Sequence, residues 1–289
     1  MKVVSFSLEQ GNKYFGRVDG GPKFFIGKRV SFDGNKGLMN VTGTAAEKYD
    51  RTAFAATHGF WASFIHPTAI AEGALFHTLN TYDRARFTFT FLQYAAHVPD
   101  GDFVVYLRSL LLLPLAVEYF PDLVLEDGHI CKVTDTGATQ PIESSGSTER
   151  LMDYFNPASH EVEDTEVIQA ARLIHWSQND PAHRELQVTT GIEHFKKAMP
   201  LYVRRYPMLN GADPRVCTVV ADIHHQGRAK ISTVLMALQN SEPLTALLKI
   251  GEEQYPERIS TLRKEIKALT AAGVYGNLKY DKARNDFIE

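Results

Sequence analysis

The sequence has few cysteines, no long apolar run and no excess of one charge. Its 289 residues include two cysteines, Cys131 and Cys217, without Cys-x-x-Cys or zinc-ligand spacing. This excludes a disulfide framework and a zinc finger, and leaves one long-range bridge open. The most apolar stretch, residues 110–117, is far too short to cross a bilayer. With 31 basic and 34 acidic residues, the net charge of −3 argues against a protein that binds nucleic acid by neutralising many phosphates.

Glycine is concentrated at one end of the chain. Residues 1–45 hold eight glycines between short apolar stretches, which predicts short strands joined by tight turns. From residue 46 onward the apolar positions recur mostly at helical spacing. We therefore expect an α+β fold, mainly α, with a glycine-rich N-terminal β segment (1–45) and one mainly helical domain (46–289).

Three segments after residue 45 have clear local patterns. The spacing predicts a helix from Glu47 to His66 that Pro67 ends or kinks. Residues 87–91 alternate phenylalanine and threonine, which predicts a strand within a small antiparallel sheet near residues 76–93. Residues 103–118 predict an apolar helix kinked near Pro114. The first two segments flank the residues that carry the chemistry discussed next.

Two acidic residues lie in contrasting local sequences. Glu72 follows a helix rich in apolar residues, and such surroundings favour the protonated form of a carboxyl. Asp83 lies in a polar turn and is expected to stay ionised, and the strand after it offers outward-facing hydroxyls at Thr88 and Thr90. Glycoside hydrolysis requires one carboxyl that donates a proton and one that accepts it. Alternatively, Glu72 is an exposed helix-end carboxylate, Asp83 a turn residue, and the three phenylalanines a core-facing stripe.

The segment from Glu72 to Gln93 resembles the lysozyme-like superfamily, especially phage-type lysozymes and the related chitosanases. In that group a helix ends in a catalytic Glu, often Glu-Gly, and a small sheet with an Asp and a Thr follows. The resemblance implies that Glu72 is the general acid, Asp83 the base or charge stabiliser, and Thr88 the hydroxyl that positions water. It also implies a two-lobed helical domain, with lobes near residues 46–133 and 149–289.

Further residues are expected to bind substrate by the same resemblance. Residues 90–93 are similar to a strand of goose-type lysozymes and transglycosylases, which implicates Thr90 and Gln93. Tyr82 flanks the candidate base. The segment that ends in Gln226-Gly227 resembles a second-lobe helix of the superfamily, and Arg258 lies in a segment similar to its Arg-bearing helix start. A helix C-cap and a surface helix start are the alternatives for the last two.

The expected function is hydrolysis of β-1,4 bonds in peptidoglycan, with chitosan as the alternative polymer and no metal or cofactor. A different class stays open: a non-catalytic helical binding or assembly protein, with an exposed apolar patch near residues 110–117 or 87–91. A glycan-binding protein without activity is a third possibility. The first ten residues lack the apolar core of a signal peptide. A wall-degrading enzyme would then reach its substrate after release or by non-classical export, and the localisation and oligomeric state stay open.

Overall fold

The glycine-rich N-terminus forms four strands of a seven-stranded antiparallel sheet. In this computed structural model, which describes all 289 residues, each strand pairs with the next along the chain. The seven strands are β1 (Val4–Glu9), β2 (Lys13–Val18), β3 (Phe24–Phe32), β4 (Asn35–Asn40), β5 (Leu79–Asn80), β6 (Thr88–Phe89) and β7 (Tyr94–Ala95).

The N-terminal strands and the small predicted sheet are one structure. Strand β4 pairs with β5, with Met39 opposite Asn80 and Asn40 opposite Leu79. The chain accordingly divides into unit 1 (residues 1–48 and 73–190) and unit 2 (residues 49–72 and 191–289). These units differ from the predicted segments 1–45 and 46–289, because the pairing between β4 and β5 joins the N-terminal strands to residues beyond position 72.

Helices account for about 45% of the chain and strands for about 19%, so the α+β class is confirmed. Two small antiparallel sheets complete the strands: β8 (Leu123–Glu126), β9 (His129–Val133) and β10 (Thr139–Pro141), then β11 (Lys279–Asp281) and β12 (Asp286–Ile288). The helices are α1 (Arg51–His58), α2 (Phe60–Ala71), α3 (Asp102–Leu110), α4 (Ala116–Tyr119), α5 (Glu149–Phe155), α6 (Asp164–Asn179), α7 (Pro181–Arg205), α8 (Pro214–Gln226), α9 (Ile231–Leu238), α10 (Pro243–Leu247) and α11 (Pro256–Ala271), and two 3-10 turns lie at Ala45–Glu47 and Pro207–Leu209. No helix combines the length and apolar character needed to cross a membrane.

In unit 2, the helix that was predicted to end or kink at Pro67 does not end there. Helix α2 continues through Pro67 to Ala71, and the preceding helix α1 ends at Gly59 instead. Gly59 has φ of +57°, a conformation that glycine adopts without the steric strain of a side chain. Pro67 is buried inside α2, which packs against α8 and α11, so tertiary packing retains the helix despite the missing backbone hydrogen bond.

In unit 1, the predicted strand at residues 87–91 is shorter than expected. Only Thr88 and Phe89 pair in β6, because Thr90 turns the chain with φ of +89°. The three phenylalanines of the segment are fully buried, as are Trp176 and many other aromatic side chains of this unit. The predicted helix at residues 103–118 is two helices, α3 and α4, joined by turns around Pro114.

The two cysteines do not form a disulfide. Cys131 lies in β9 of unit 1 and Cys217 in α8 of unit 2, and both are buried free thiols. Burial raises the pKa of each thiol above its usual range, which disfavours the reactive thiolate. The long-range bridge that the sequence left open is therefore absent, and both cysteines belong to the packed interior.

Candidate active site

Glu72 caps the C-terminus of α2 in unit 2 and carries an ion pair. Its Oε1 accepts a hydrogen bond of 2.5 Å from Nη1 of Arg258, which lies in α11. The two side chains are 14% and 9% exposed, so water screens the pair only weakly. The apolar surroundings expected for Glu72 are therefore wrong in part, because a guanidinium group from a distant helix contacts the carboxyl.

The same arginine also binds a buried aspartate. Nη2 of Arg258 donates to Oδ1 of Asp222 at 2.7 Å, and Nη1 of Arg228 donates to Oδ2 of Asp222 at 2.6 Å. The side chains of Asp222 and Arg228 are fully buried. Burial alone would raise the pKa of Asp222, but the two guanidinium groups outweigh it and hold the pKa below its usual range. Asp222 therefore stays ionised and shares Arg258 with Glu72.

Asp222 and Arg228 were not among the predicted site residues. A signal was present, because Asp222 is the one charged residue in the run from Val219 to Ile223, which is buried in α8. A carboxylate in such a run must find a cationic partner or lose its charge. The partner Arg258 lies 36 positions away, and only the tertiary structure identifies it.

A histidine adjoins the Glu72 carboxyl. Nε2 of His225 lies 3.8 Å from Oε1 of Glu72, and the His225 ring packs against Phe195 with a centroid distance of 5.7 Å. Burial lowers the pKa of His225, so its ring is neutral at pH 7. The charges beside Glu72 are therefore those of the two arginines and Asp222.

An opening lies beside this ion-pair network within unit 2. A cavity of about 460 Å³ is bounded by Arg258 and by Ala71, the last residue of α2. Tyr255 also lines it and has 43% of its surface exposed. Gln226, expected to bind substrate, instead accepts a hydrogen bond of 3.1 Å from Arg228 and does not line this cavity.

Asp83 occupies a well-defined turn after β5 in unit 1. Its Oδ2 accepts a 3.0 Å hydrogen bond from the Asn80 side chain, and its Oδ1 accepts a 2.8 Å bond from the backbone N–H of Ala85. An aspartate that binds its own turn in this way is typical of such loops. Both oxygens keep acceptor capacity beyond these two bonds, so the carboxylate is oriented and can still accept further hydrogen bonds.

Three predicted site residues of unit 1 line one cavity. Asp83, Thr88 and Gln93 border a space of about 530 Å³. The sheet brings Thr88 there, because Thr88 pairs with Asn80 of β5 on one side and Ala95 of β7 on the other, and all three line the same space. The remaining lining residues, which the sequence analysis did not identify, are Phe32, Asp33, Asn35, Arg84, Ala85 and His97.

The other two predicted residues of unit 1 do not line this cavity. Thr90 is fully buried and its hydroxyl has no hydrogen-bond partner, so the predicted outward orientation is wrong. Its positive φ turns the backbone away from the strand geometry on which that prediction depended. Tyr82 is half-buried and its ring contacts Phe32 edge-on at 6.5 Å between centroids, next to the cavity rather than in its lining.

A buried acid supports the strand that leads to Asp83. Glu166 of α6 is fully buried and accepts a hydrogen bond from the hydroxyl of Thr81, the residue after β5. The same hydroxyl accepts a 2.6 Å bond from the backbone N–H of Leu38 in β4. Burial raises the pKa of Glu166 to about 8. At neutral pH this carboxyl is therefore mostly protonated.

Glu166 predicts a pH dependence of stability. Between pH 4.5 and about 8 the folded chain keeps a proton that the unfolded chain loses. The protonated Glu166 therefore contributes its full stabilisation of the folded state below pH 4.5. This stabilisation is lost as the pH rises toward 8. Glu166→Gln removes the titrating group, so the free energy of unfolding of the variant should change less with pH than that of the wild type. As the pH increases, the variant should therefore gain stability relative to wild type.

Chemical denaturation at several pH values checks this. The exposed Glu126→Gln change in the same unit is the matched control and should keep the wild-type pH dependence. If the free energy of unfolding changes with pH equally in wild type and Glu166→Gln, Glu166 is ionised in the folded chain.

Of the two apolar patches expected for a non-catalytic binding protein, one is buried and the other has exposed residues. The phenylalanines of residues 87–91 are buried and form no exposed patch, whereas Leu112 and Val117 are 70% and 67% exposed. No group of three or more His, Cys, Asp or Glu side chains is arranged to hold a metal ion.

Comparisons with family models, with curated proteins and with solved structures gave no match.

Proposed function

We propose that this chain is a glycoside hydrolase that cleaves β-1,4 bonds of peptidoglycan with two carboxyl groups. Glu72 is the general acid that protonates the leaving oxygen. Asp83 is the base that accepts a proton from water, and the Thr88 hydroxyl helps to position that water. A polysaccharide is thus the proposed partner, and the reaction uses no cofactor.

The grouping of Asp83, Thr88 and Gln93 on one cavity is the observation that carries this proposal. The arrangement around Glu72 bears on its role as the acid. A general acid becomes a carboxylate when it gives up its proton, so a nearby positive charge stabilises the developing anion. Nη1 of Arg258 is 2.5 Å from Glu72 Oε1 and can supply that charge. Asp222 binds the other end of the same guanidinium, so Arg258 keeps an anionic partner when Glu72 takes up the proton that it donates.

The environment of Asp83 supports the second role. Its hydrogen bonds come from neutral donors, the Asn80 amide and the Ala85 backbone, so no cation neutralises it directly. It borders a cavity large enough for a sugar ring, together with Thr88, which is 6% exposed rather than outward-facing as predicted. A carboxylate oriented by neutral donors beside an open cavity is suited to act as a general base toward water.

Chitosan is the second candidate substrate, and the charge of the unit 1 cavity favours it. The cavity wall contains two carboxylates, Asp33 and Asp83, and one guanidinium, Arg84. Burial and the charge of Arg84 lower the pKa of His97, which leaves that ring neutral at pH 7. An excess of negative charge attracts the ammonium groups of chitosan and repels the carboxylates of peptidoglycan.

Release of reducing ends from purified peptidoglycan and from chitosan tests the proposal. Asp83→Asn should lower kcat by about 10²–10⁴-fold, the usual contribution of a general base, because the amide cannot accept the proton. Asp135→Asn, an exposed change in a turn of the same unit, is the matched control and should keep the wild-type rate. Absence of cleavage of both polymers by the wild-type protein would refute the proposed function. Unchanged turnover in Asp83→Asn would remove Asp83 from the mechanism.

A further inference from the structure

The turn between β3 and β4 presents an exposed aromatic ring in a fixed geometry. The turn has two residues, Asp33 and Gly34, with φ of +49° and +82°, and Phe32 pairs with Asn35 directly across it. Positive φ at both central residues is the geometry that matches the twist of the flanking strands, and Asp-Gly favours it. The backbone N–H of Lys36 also donates to the Ser159 carbonyl at 2.9 Å, which ties the hairpin to a neighbouring loop.

Phe32 is exposed although many aromatic residues of unit 1 are buried. Its exposed fraction is 63%, and the Tyr82 ring contacts it edge-on, with an interplanar angle of 64°. Such a contact supports the position of the Phe32 ring and leaves much of its surface open to solvent. A supported, exposed aromatic ring at the border of a cavity is suited to bind a ligand with an apolar face.

The hairpin and the candidate base border the same cavity. Phe32, Asp33 and Asn35 line the 530 Å³ space together with Asp83 and Thr88. These five residues contribute one aromatic ring, one amide, two carboxylates and one hydroxyl to the wall. A pyranose ring matches this set, because its C–H groups form an apolar face while its hydroxyl and amino substituents lie around the edge.

We propose that the β3–β4 turn forms a sugar-binding subsite for a β-1,4-linked amino sugar. The Phe32 ring stacks on the pyranose face, and Asn35 and Asp33 hydrogen-bond its edge substituents. Asp33 adds a negative charge suited to the amino group of glucosamine. This inference rests on the proposed function, and its Asp33 contact rests on chitosan as the substrate. It gives the N-terminal strands a role in substrate recognition rather than in the chemical step.

The test compares glycan binding and turnover in matched variants. Isothermal titration with glucosamine hexamer and N-acetylglucosamine hexamer measures affinity in Glu72→Gln, which should not consume the ligand, with and without Phe32→Ala. Phe32→Ala should weaken binding about tenfold, as expected for the loss of one aromatic stacking contact. In the otherwise wild-type protein, Phe32→Ala should raise KM for the hexamers by a similar factor and change kcat little.

Two controls separate stacking from folding. Phe32→Trp keeps an aromatic face and should retain affinity, while Leu8→Ala, at a 43% exposed position of β1, should change neither affinity nor KM. If the hexamers are cleaved and Phe32→Ala has the wild-type KM, the subsite is refuted and the hydrolase survives. If neither hexamer is bound, the subsite is refuted, and the reducing-end assay on peptidoglycan decides the hydrolase separately. A preference for the glucosamine hexamer that disappears in Asp33→Asn supports the charge contact, and an unchanged preference overturns it.

Discussion

Glu72→Gln should lower kcat by about 10²–10⁴-fold on either polymer, which is the usual contribution of a general acid. The amide has nearly the shape of the carboxyl and its oxygen can still accept the hydrogen bond from Arg258. It has no acidic proton to donate to the leaving oxygen. Arg258 also keeps its bond to Asp222, so the fold should persist. Reducing-end assays at saturating substrate measure kcat, and thermal unfolding of the same samples measures Tm.

The matched control for this change is Glu253→Gln. Glu253 is exposed and lies in the turn that precedes α11, so its substitution should leave kcat and Tm at wild-type values. Retention of wild-type turnover in Glu72→Gln would remove Glu72 as the acid. A drop in Tm that matches the loss of activity would assign Glu72 a structural role only.

Asp222→Asn should destabilise unit 2 strongly. The change removes the anion that binds both Arg228 and Arg258, whose side chains are 0% and 9% exposed. Breaking a buried ion pair by removing one partner typically costs about 3–5 kcal/mol, because it leaves an uncompensated charge in the interior. For a chain of this size that corresponds to a fall in Tm of about 10 °C. Calorimetry or circular dichroism during heating measures it.

An exposed ion pair supplies the comparison. Glu252 and Arg263 have side chains that are 46% and 42% exposed, and such pairs contribute little because water and salt screen them. Glu252→Gln should therefore leave Tm close to wild type. Equal small effects of Asp222→Asn and Glu252→Gln would show that the buried network tolerates an unpaired arginine.

Local sequence predicted the elements better than their limits. Gly and apolar spacing indicated the N-terminal strands, because turns with positive φ require residues such as Asp33-Gly34. Pro67 misled the prediction, since a local rule opposes proline within a helix while the packing of α2 retains it. The strand at residues 87–91 was also overextended, because the turn at Thr90 has no local signature.

The candidate residues of unit 1 and those of unit 2 differ in how far sequence could identify them. Asp83, Thr88 and Gln93 lie within eleven consecutive positions, and a meander of short strands brings such residues to one cavity. The partners of Glu72 are distant: Arg258 is 186 positions away, and the link to Asp222 requires α2, α8 and α11 to pack together. One sequence contains no information on which arginine an isolated carboxylate will bind.

The role of Glu72 as a proton donor can be tested with two leaving groups. An amino-sugar leaving group needs a proton as the bond breaks, whereas a dinitrophenolate leaves without one. We predict that Glu72→Gln is slower than wild type by orders of magnitude on the natural oligosaccharide. On the dinitrophenyl glycoside of the same sugar, it should be nearly as fast as wild type. An equal loss of rate on both substrates, or no loss of rate on the natural oligosaccharide, would contradict general acid catalysis by Glu72.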